Sequence, residues 1–228
     1  MSERQQLLEK VADRIVSRLT KRALFVGIDG VDGAGKSVFG DELADALRAR
    51  GRPIIRASLD AFHNTRAVRY RRGRQSPDGF FLDSFNYLGL KQALLDPLRA
   101  AHPHRTKIHN LASDETVADT PQVAAPDFIL VFDGIFLHRP ELRDYWDFSI
   151  FLSVDFKVSV ARGTQRDKTS PDVEAAANRR YVEGQRLYLR ACKPLRHATI
   201  TIDNNDLARP RIVADAARGR AEESSVRP

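Results

Sequence analysis

Apolar and polar positions alternate along the chain in two periods. Short apolar runs fall at Leu24–Ile28, Pro53–Leu59, Phe128–Ile135, Phe148–Val154 and Ala198–Ile202. Runs this short and this apolar predict strands buried on both faces of a parallel sheet. Between them the spacing lengthens to that of helices. Leu8, Val11, Ile15 and Leu19 predict an amphipathic helix over residues 3–20 that packs on the outside of the core. Phe39, Leu43 and Leu47 mark one face of a helix that Gly51 and Pro53 close. Phe85, Leu88, Leu90, Leu94 and Leu95 predict a helix over 83–95 ended by Pro97. Residues 158–167 and 172–192 read as two more helices. Residues 64–80 carry no clear element, with a turn at Ser76-Pro77-Asp78-Gly79. Residues 112–126 read as a polar surface connection, and 211–228 as a polar C-terminal tail.

The first strand runs into Gly30-Val31-Asp32-Gly33-Ala34-Gly35-Lys36-Ser37, then Val38 and the helix. This fits G-x-x-x-x-G-K-[ST], the loop that cradles a polyphosphate. Glycines let backbone N–H groups approach the phosphates, and the helix adds its positive N-terminus. Lys36 is placed to reach the β- and γ-phosphates and Ser37 to ligate Mg²⁺. ATP and Mg²⁺ are therefore the expected cofactors. The apolar strand ending in Asp133-Gly134 supplies the acid expected beside that metal.

Asp60 ends the second strand, where ligands sit in open α/β sheets. It reads either as the general base for an acceptor hydroxyl or as a cap of the next turn. Arg162 and Arg166 share a helical face, as phosphate-clamping lid residues would, or pair outward with Asp167 or Glu174. Arg66, Arg69, Arg71, Arg72 and Arg74 crowd around Tyr70. Most read as a solvated loop, with one or two facing an anionic site. Arg179, Arg180, Tyr181, Gln185 and Tyr188 are polar or aromatic candidates on the late helix.

At 228 residues, with 42% hydrophobic and 29% charged residues, the chain suits one α/β domain with a small lid. The net charge of +7 suits nucleotides and other anions without singling out nucleic acid. No recognisable nucleic-acid module accompanies the arginines, so nucleic acid is not the expected partner. Cys192 stands alone, which removes intrachain disulfides and thiolate clusters. His102, His104 and His109 lack ligand-like carboxylate spacing. No apolar run reaches membrane-spanning length, and a cytoplasmic location is expected.

With these residues in place, the chain resembles the uridine kinase and phosphoribulokinase-like branch of P-loop kinases over roughly residues 22–210. The carriers are Gly30–Ser37, Leu59-Asp60-Ala61-Phe62-His63, Phe132-Asp133-Gly134-Ile135-Phe136-Leu137, Leu142-Arg143-Asp144, Arg162, Arg166-Asp167 and Ile202-Asp203-Asn204-Asn205. The stretch from Ser76 to Phe85 looks most like bacterial uridine kinase-like members. The resemblance implies a five-stranded parallel sheet with helices on both faces and a helical lid at about residues 160–180. It implies Asp60 as the acceptor-hydroxyl base, Phe62 and His63 on the substrate-side turn, and Arg162 and Arg166 as lid arginines. Tyr181 joins the substrate side, and Asp78 and Asp83 are both candidates for a hydroxyl-binding acid. A small-molecule acceptor follows, uridine or cytidine foremost, and a homo-oligomer is in keeping with several members.

Two departures stand out. Asp133 occupies a position where many uridine kinases carry Glu, and residues 102–109 give no clean match to their pyrimidine-holding segment. Pantothenate, sugar or sugar-phosphate acceptors stay open. So does a non-catalytic nucleotide- or nucleic-acid-binding module. Thymidylate is demoted, because the only Asp-Arg dipeptide is Asp13-Arg14, upstream of the loop.

Overall fold

Uninterrupted burial over Leu24–Gly30 makes β1 the middle of the sheet. In the computed structural model, which describes residues 1–18, 23–167 and 170–216 and the side chains of all but 165–167 among them, the sheet has six strands. These are β1, β2 (Ile54–Ser58), β5 (Ile129–Asp133), β6 (Phe148–Ser153), β7 (Ile200–Asp203) and β8 (Arg211–Asp215). Their order is β2-β5-β1-β6-β7-β8. The first five run parallel, and β8 pairs antiparallel with β7. A further two-stranded hairpin joins β3 (His109–Asn110) to β4 (Glu115–Thr116).

The chain fills one side of β1 with β2 and β5 and the other with β6 and β7. The strand order therefore reverses at β1, and a crevice opens at the carboxyl ends there. On one face α1 (Glu3–Val16) and α2 (Lys36–Arg48) close a core built on Val26, Ile28, Val131 and Ile150. Phe39, Leu43 and Leu47 of α2 are fully buried in it, each contributing about 1.5–3 kcal/mol. On the other face Phe25, Leu130, Phe132 and Phe136 meet Leu90, Leu94 and Leu98 and the helix α8 (Ala176–Cys192). The result is the α/β three-layer arrangement expected.

Several expectations change. The first helix stops at Val16, its start fixed by a Ser2/Gln5 capping box; Leu19 lies outside the described residues. Residues 64–80 contain α3 (Arg66–Arg69) and the start of α4 (Pro77–Asp83). What reads as a turn at Ser76–Gly79 is the start of α4: the Gly79 N–H donates to Ser76 Oγ at 3.0 Å, with Pro77 in the first turn. Pro97 does not end the next helix. Helical backbone runs from α5 (Tyr87–Leu90) through a π-helical stretch, Lys91–Leu95, into α6 (Asp96–Arg99). The widened turns accommodate a residue that lacks an N–H. The polar segment from residue 211 begins as the edge strand β8, where Ile212 packs on the core and its neighbours stay wet. An edge strand needs only one such contact face, so its polarity hid it.

Candidate active site

Three strand ends and one helix start converge on a cleft of about 720 Å³. Asp32, Gly33, Gly35, Lys36, Ser37 and Val38 line it from the loop after β1, Asp60 and His63 from the end of β2, and Asp133 from the end of β5. Gly30, Val31 and Ala34, expected with them, face inward, and Val31 and Ala34 belong to the core. Gly33 and Gly35 adopt φ +71° and +85°, a region that suits glycine. Gly35 is the N-cap of α2 with no side-chain cap, so the first amides of that helix are left for an anion. The Lys36 ammonium donates to Val31 O at 2.9 Å, folded over the loop.

Ser37 Oγ donates to Asp133 Oδ2 at 2.8 Å, while Asp133 Oδ1 lies 2.6 Å from Arg56 Nη1. A hydroxyl and a buried carboxylate meeting beside a glycine loop form the oxygen donor set a hard cation prefers, so the residues present fit Mg²⁺ and a triphosphate. Arg56, which also bonds Asp41 and the Ser37 carbonyl, was missed in the sequence. Its signal was a lone charge inside an otherwise apolar strand.

Asp60 is exposed at the cleft wall, in a 3-10 turn Leu59–Phe62 capped by Ser58. Its carbonyl lies 2.9 Å from His63 Nδ1, and the His63 ring packs at a tilt against Phe85, with ring centres 4.4 Å apart. Burial pulls the His63 pKa below its usual value. Phe62 does not reach the cleft: it is fully buried against Phe132, because residues three apart, Leu59 and Phe62, fall on the same inward side of a 3-10 turn. Neither acidic candidate lines the cleft. Asp78 is exposed in the first turn of α4. Asp83 is buried in ion pairs with Arg71 at 2.5 Å and Arg72 at 2.8 Å, which hold its pKa low. Tyr181 does line the cleft, edge-on to Phe80 at 5.0 Å.

Arg162, on α7 (Phe156–Asp167), lines the cleft but donates to the carbonyls of Gly33, Asn204 and Asn205 at 3.4, 3.0 and 2.6 Å. Its outward pairing with Glu174 does not occur; Glu174 meets Arg186 at 2.9 Å. The Arg166 side chain lies outside the described residues. Of the five clustered arginines only Arg69 lines the cleft; Arg180 and Gln185 line it from α8.

Beneath the loop sits a buried network the sequence marked only as an acid inside an apolar strand. Asp29 accepts the Gly30 N–H at 2.7 Å and His138 Nδ1 at 2.7 Å, and also the Tyr188 hydroxyl. Burial and the Asp29 carboxylate push the Tyr188 pKa well up, so the phenol stays a donor. The network ties β1, the segment after β5 and α8 behind the phosphate loop.

Comparison with known proteins gives the family and the fold. A model of the phosphoribulokinase/uridine kinase family matches residues 25–176. A uridine kinase of Lactiplantibacillus plantarum is 26% identical over 186 residues, covering 78% of this chain and 80% of that one. A structure described as a possible uridine kinase from Bacillus stearothermophilus superposes with a TM-score of 0.69 at 22% identity, covering 85% of this chain and 96% of that one. The phosphoribulokinase of Rhodobacter spheroides shares the fold at a TM-score of 0.55 and 14% identity, over 91% and 86% of the two chains.

Proposed function

The chain belongs to the phosphoribulokinase/uridine kinase family of P-loop kinases, and from that premise we propose that it transfers the γ-phosphoryl group of ATP to a hydroxyl of a small acceptor. The observation that carries this is the convergence of Lys36, Ser37, Asp60 and Asp133 on one cleft. The acceptor oxygen bonds to the γ-phosphorus, the bond to the β–γ bridging oxygen breaks, and ADP leaves. Asp60 accepts the hydroxyl proton and orients the oxygen. Lys36 swings from Val31 O to the phosphates, and the loop amides hold their oxygens. Ser37 and Asp133 would hold Mg²⁺, which would supply charge neutralisation on the phosphate oxygens. Arg162 borders the nucleotide beside Val38 and Leu207, with Arg166 one turn on as the second lid arginine. His63 and Tyr181 border the acceptor.

A nucleoside is the acceptor class that the names of the relatives offer, with uridine and cytidine the first compounds to try. The test measures ADP release with MgATP and a panel of nucleosides, pantothenate and sugars. Asp60→Asn is expected to lower kcat by about 10²- to 10⁴-fold while sparing nucleotide binding. Unchanged turnover in that variant removes Asp60 as base. Nucleotide binding with no acceptor-dependent turnover favours the non-catalytic module. A cytoplasmic kinase fits a chain in which no described helix is long and apolar enough to cross a membrane.

A further inference from the structure

The acceptor side of the cleft carries more buried positive charge than its own carboxylates match. Arg69, at the end of α3, is only 9% exposed and lines the cleft. His63, whose ring nitrogen meets the Asp60 carbonyl, feels its charge. Arg69 Nη2 donates to Asp114 Oδ1 at 3.1 Å, and its buried Nε has no acceptor. Asp114 is already shared. Both its oxygens accept the Arg66 N–H, at 2.9 and 3.0 Å, and His109 Nε2 lies 3.4 Å away.

Arg180 adds a second cation. It is 4% exposed and lines the same cleft. Its guanidinium donates to the carbonyls of Arg69, Gly73 and Ser76 at 3.0, 3.3 and 3.0 Å. It lies over Tyr70 at 4.9 Å and Phe80 at 5.7 Å. No carboxylate contacts it among the described residues. The nearby acid Asp83 is taken by Arg71 and Arg72. Between them the two buried guanidinium groups thus contact one carboxylate, the already divided Asp114, and only Arg69 reaches it. Buried charge is stable when paired, and a wall built this way is completed by an anion.

Neutral nucleosides leave that charge unanswered. We propose that the acceptor carries a carboxylate or phosphate group that Arg69 holds, while Arg180 fixes the Arg69 backbone and adds to the field, and that its hydroxyl lies at Asp60. The acceptor class is then a small polyol phosphate or hydroxy acid rather than a free nucleoside. Aromatic side chains of Tyr70, Phe80 and Tyr181 make its apolar wall. This rests on the kinase reading above and narrows it; Arg69 is the specificity-determining residue.

The test uses the full chain with MgATP and acceptors in matched pairs: ribose 5-phosphate against ribose, and glycerate against glycerol, with uridine alongside. ADP release gives kcat and KM for each. The anionic member of at least one pair is expected to exceed its neutral partner in kcat/KM by about tenfold or more, and the two pairs separate phosphate from carboxylate. Arg69→Gln is expected to lower kcat/KM for that compound by roughly 10- to 100-fold, mostly through KM, with Arg69→Lys recovering part. Without nucleotide, the same anion is expected to raise the melting temperature of the wild type and not of Arg69→Gln. Should Arg69→Gln fail to fold, the wild-type KM for the anion decides, because a charge-held acceptor weakens as salt is raised. Ribose, glycerol or uridine serving as well as the anions, with a salt-insensitive KM, overturns the proposal. So does the absence of both turnover and a melting shift with either anion. An anion-dependent melting shift without ADP release with any compound instead sinks the kinase reading and leaves the anion site standing.

Discussion

The Asp32 N–H donates to Gln185 Oε1 at 2.6 Å, joining the phosphate loop to a helix 153 residues further along the chain. Gln185 is buried, and its own amide donates to Tyr181 O at 3.0 Å, which fixes its orientation. Helix α8 therefore steadies the tip of the loop through Gln185 and, one and a half turns earlier, the acceptor segment through Arg180. Gln185→Leu keeps the volume and removes the acceptor of that amide. Leaving the amide unpaired costs about 1–3 kcal/mol, and the loop loses its set position. Titration with a fluorescent ATP analogue is expected to show affinity reduced by about tenfold. Equal affinity in the variant would mean that the loop holds its shape unaided.

Gly33 is under two constraints that a second glycine separates. At φ +71° any side chain is strained, and a Cβ there would lie 2.2 Å from Ser159 O at the start of α7. Gly51 has nearly the same φ, +72°, with nothing within 4 Å. Gly51→Ala therefore reports strain alone, about 1–2 kcal/mol. Gly33→Ala adds displacement of α7, the helix that carries Arg162. It is expected to lower the melting temperature further than Gly51→Ala and to raise KM for ATP by more than tenfold, where Gly51→Ala leaves KM unchanged. Matching effects of the two on melting and on KM would remove the α7 contact from the account.

How much of this was legible follows from how far apart the partners are in sequence. Gly33–Ser37 is a local pattern, and Asp60 and Asp133 are strand-end acids, so period and position alone brought them to one cleft. His63 and Phe62 are adjacent, yet one faces the cleft and the other the core; only the turn geometry decides between them. Asp83 reads as a site acid until α4, which ends on it, folds back and brings it to Arg71 and Arg72. Arg69, Arg180 and Gln185 matter through contacts across more than a hundred residues, which no local spacing encodes. β8 escaped because a wet edge strand lacks the apolar run that marks its neighbours.

The Asp83 pairs make a prediction in pH as well as in stability. Hydrogen bonding from Arg71, reinforced by Arg72, holds the Asp83 carboxyl below its usual 3.8. The folded form thus binds this proton less readily than the unfolded chain. The stabilisation is complete above about pH 4 and is lost as pH falls through the lower folded value. Both arginines are about half exposed, which screens the pairs, so Asp83→Asn is expected to cost about 1–3 kcal/mol at pH 7. That corresponds to a melting temperature lower by about 3–10 °C. Denaturant titrations across pH 3–7 should show the wild type losing its advantage over Asp83→Asn in the acid range. Since Asp83 anchors the segment between Arg69 and α4 but does not line the cleft, the variant is also expected to raise KM for the acceptor with little change in KM for ATP. A pH-independent gap between wild type and variant would show that the carboxylate charge is not what holds the segment.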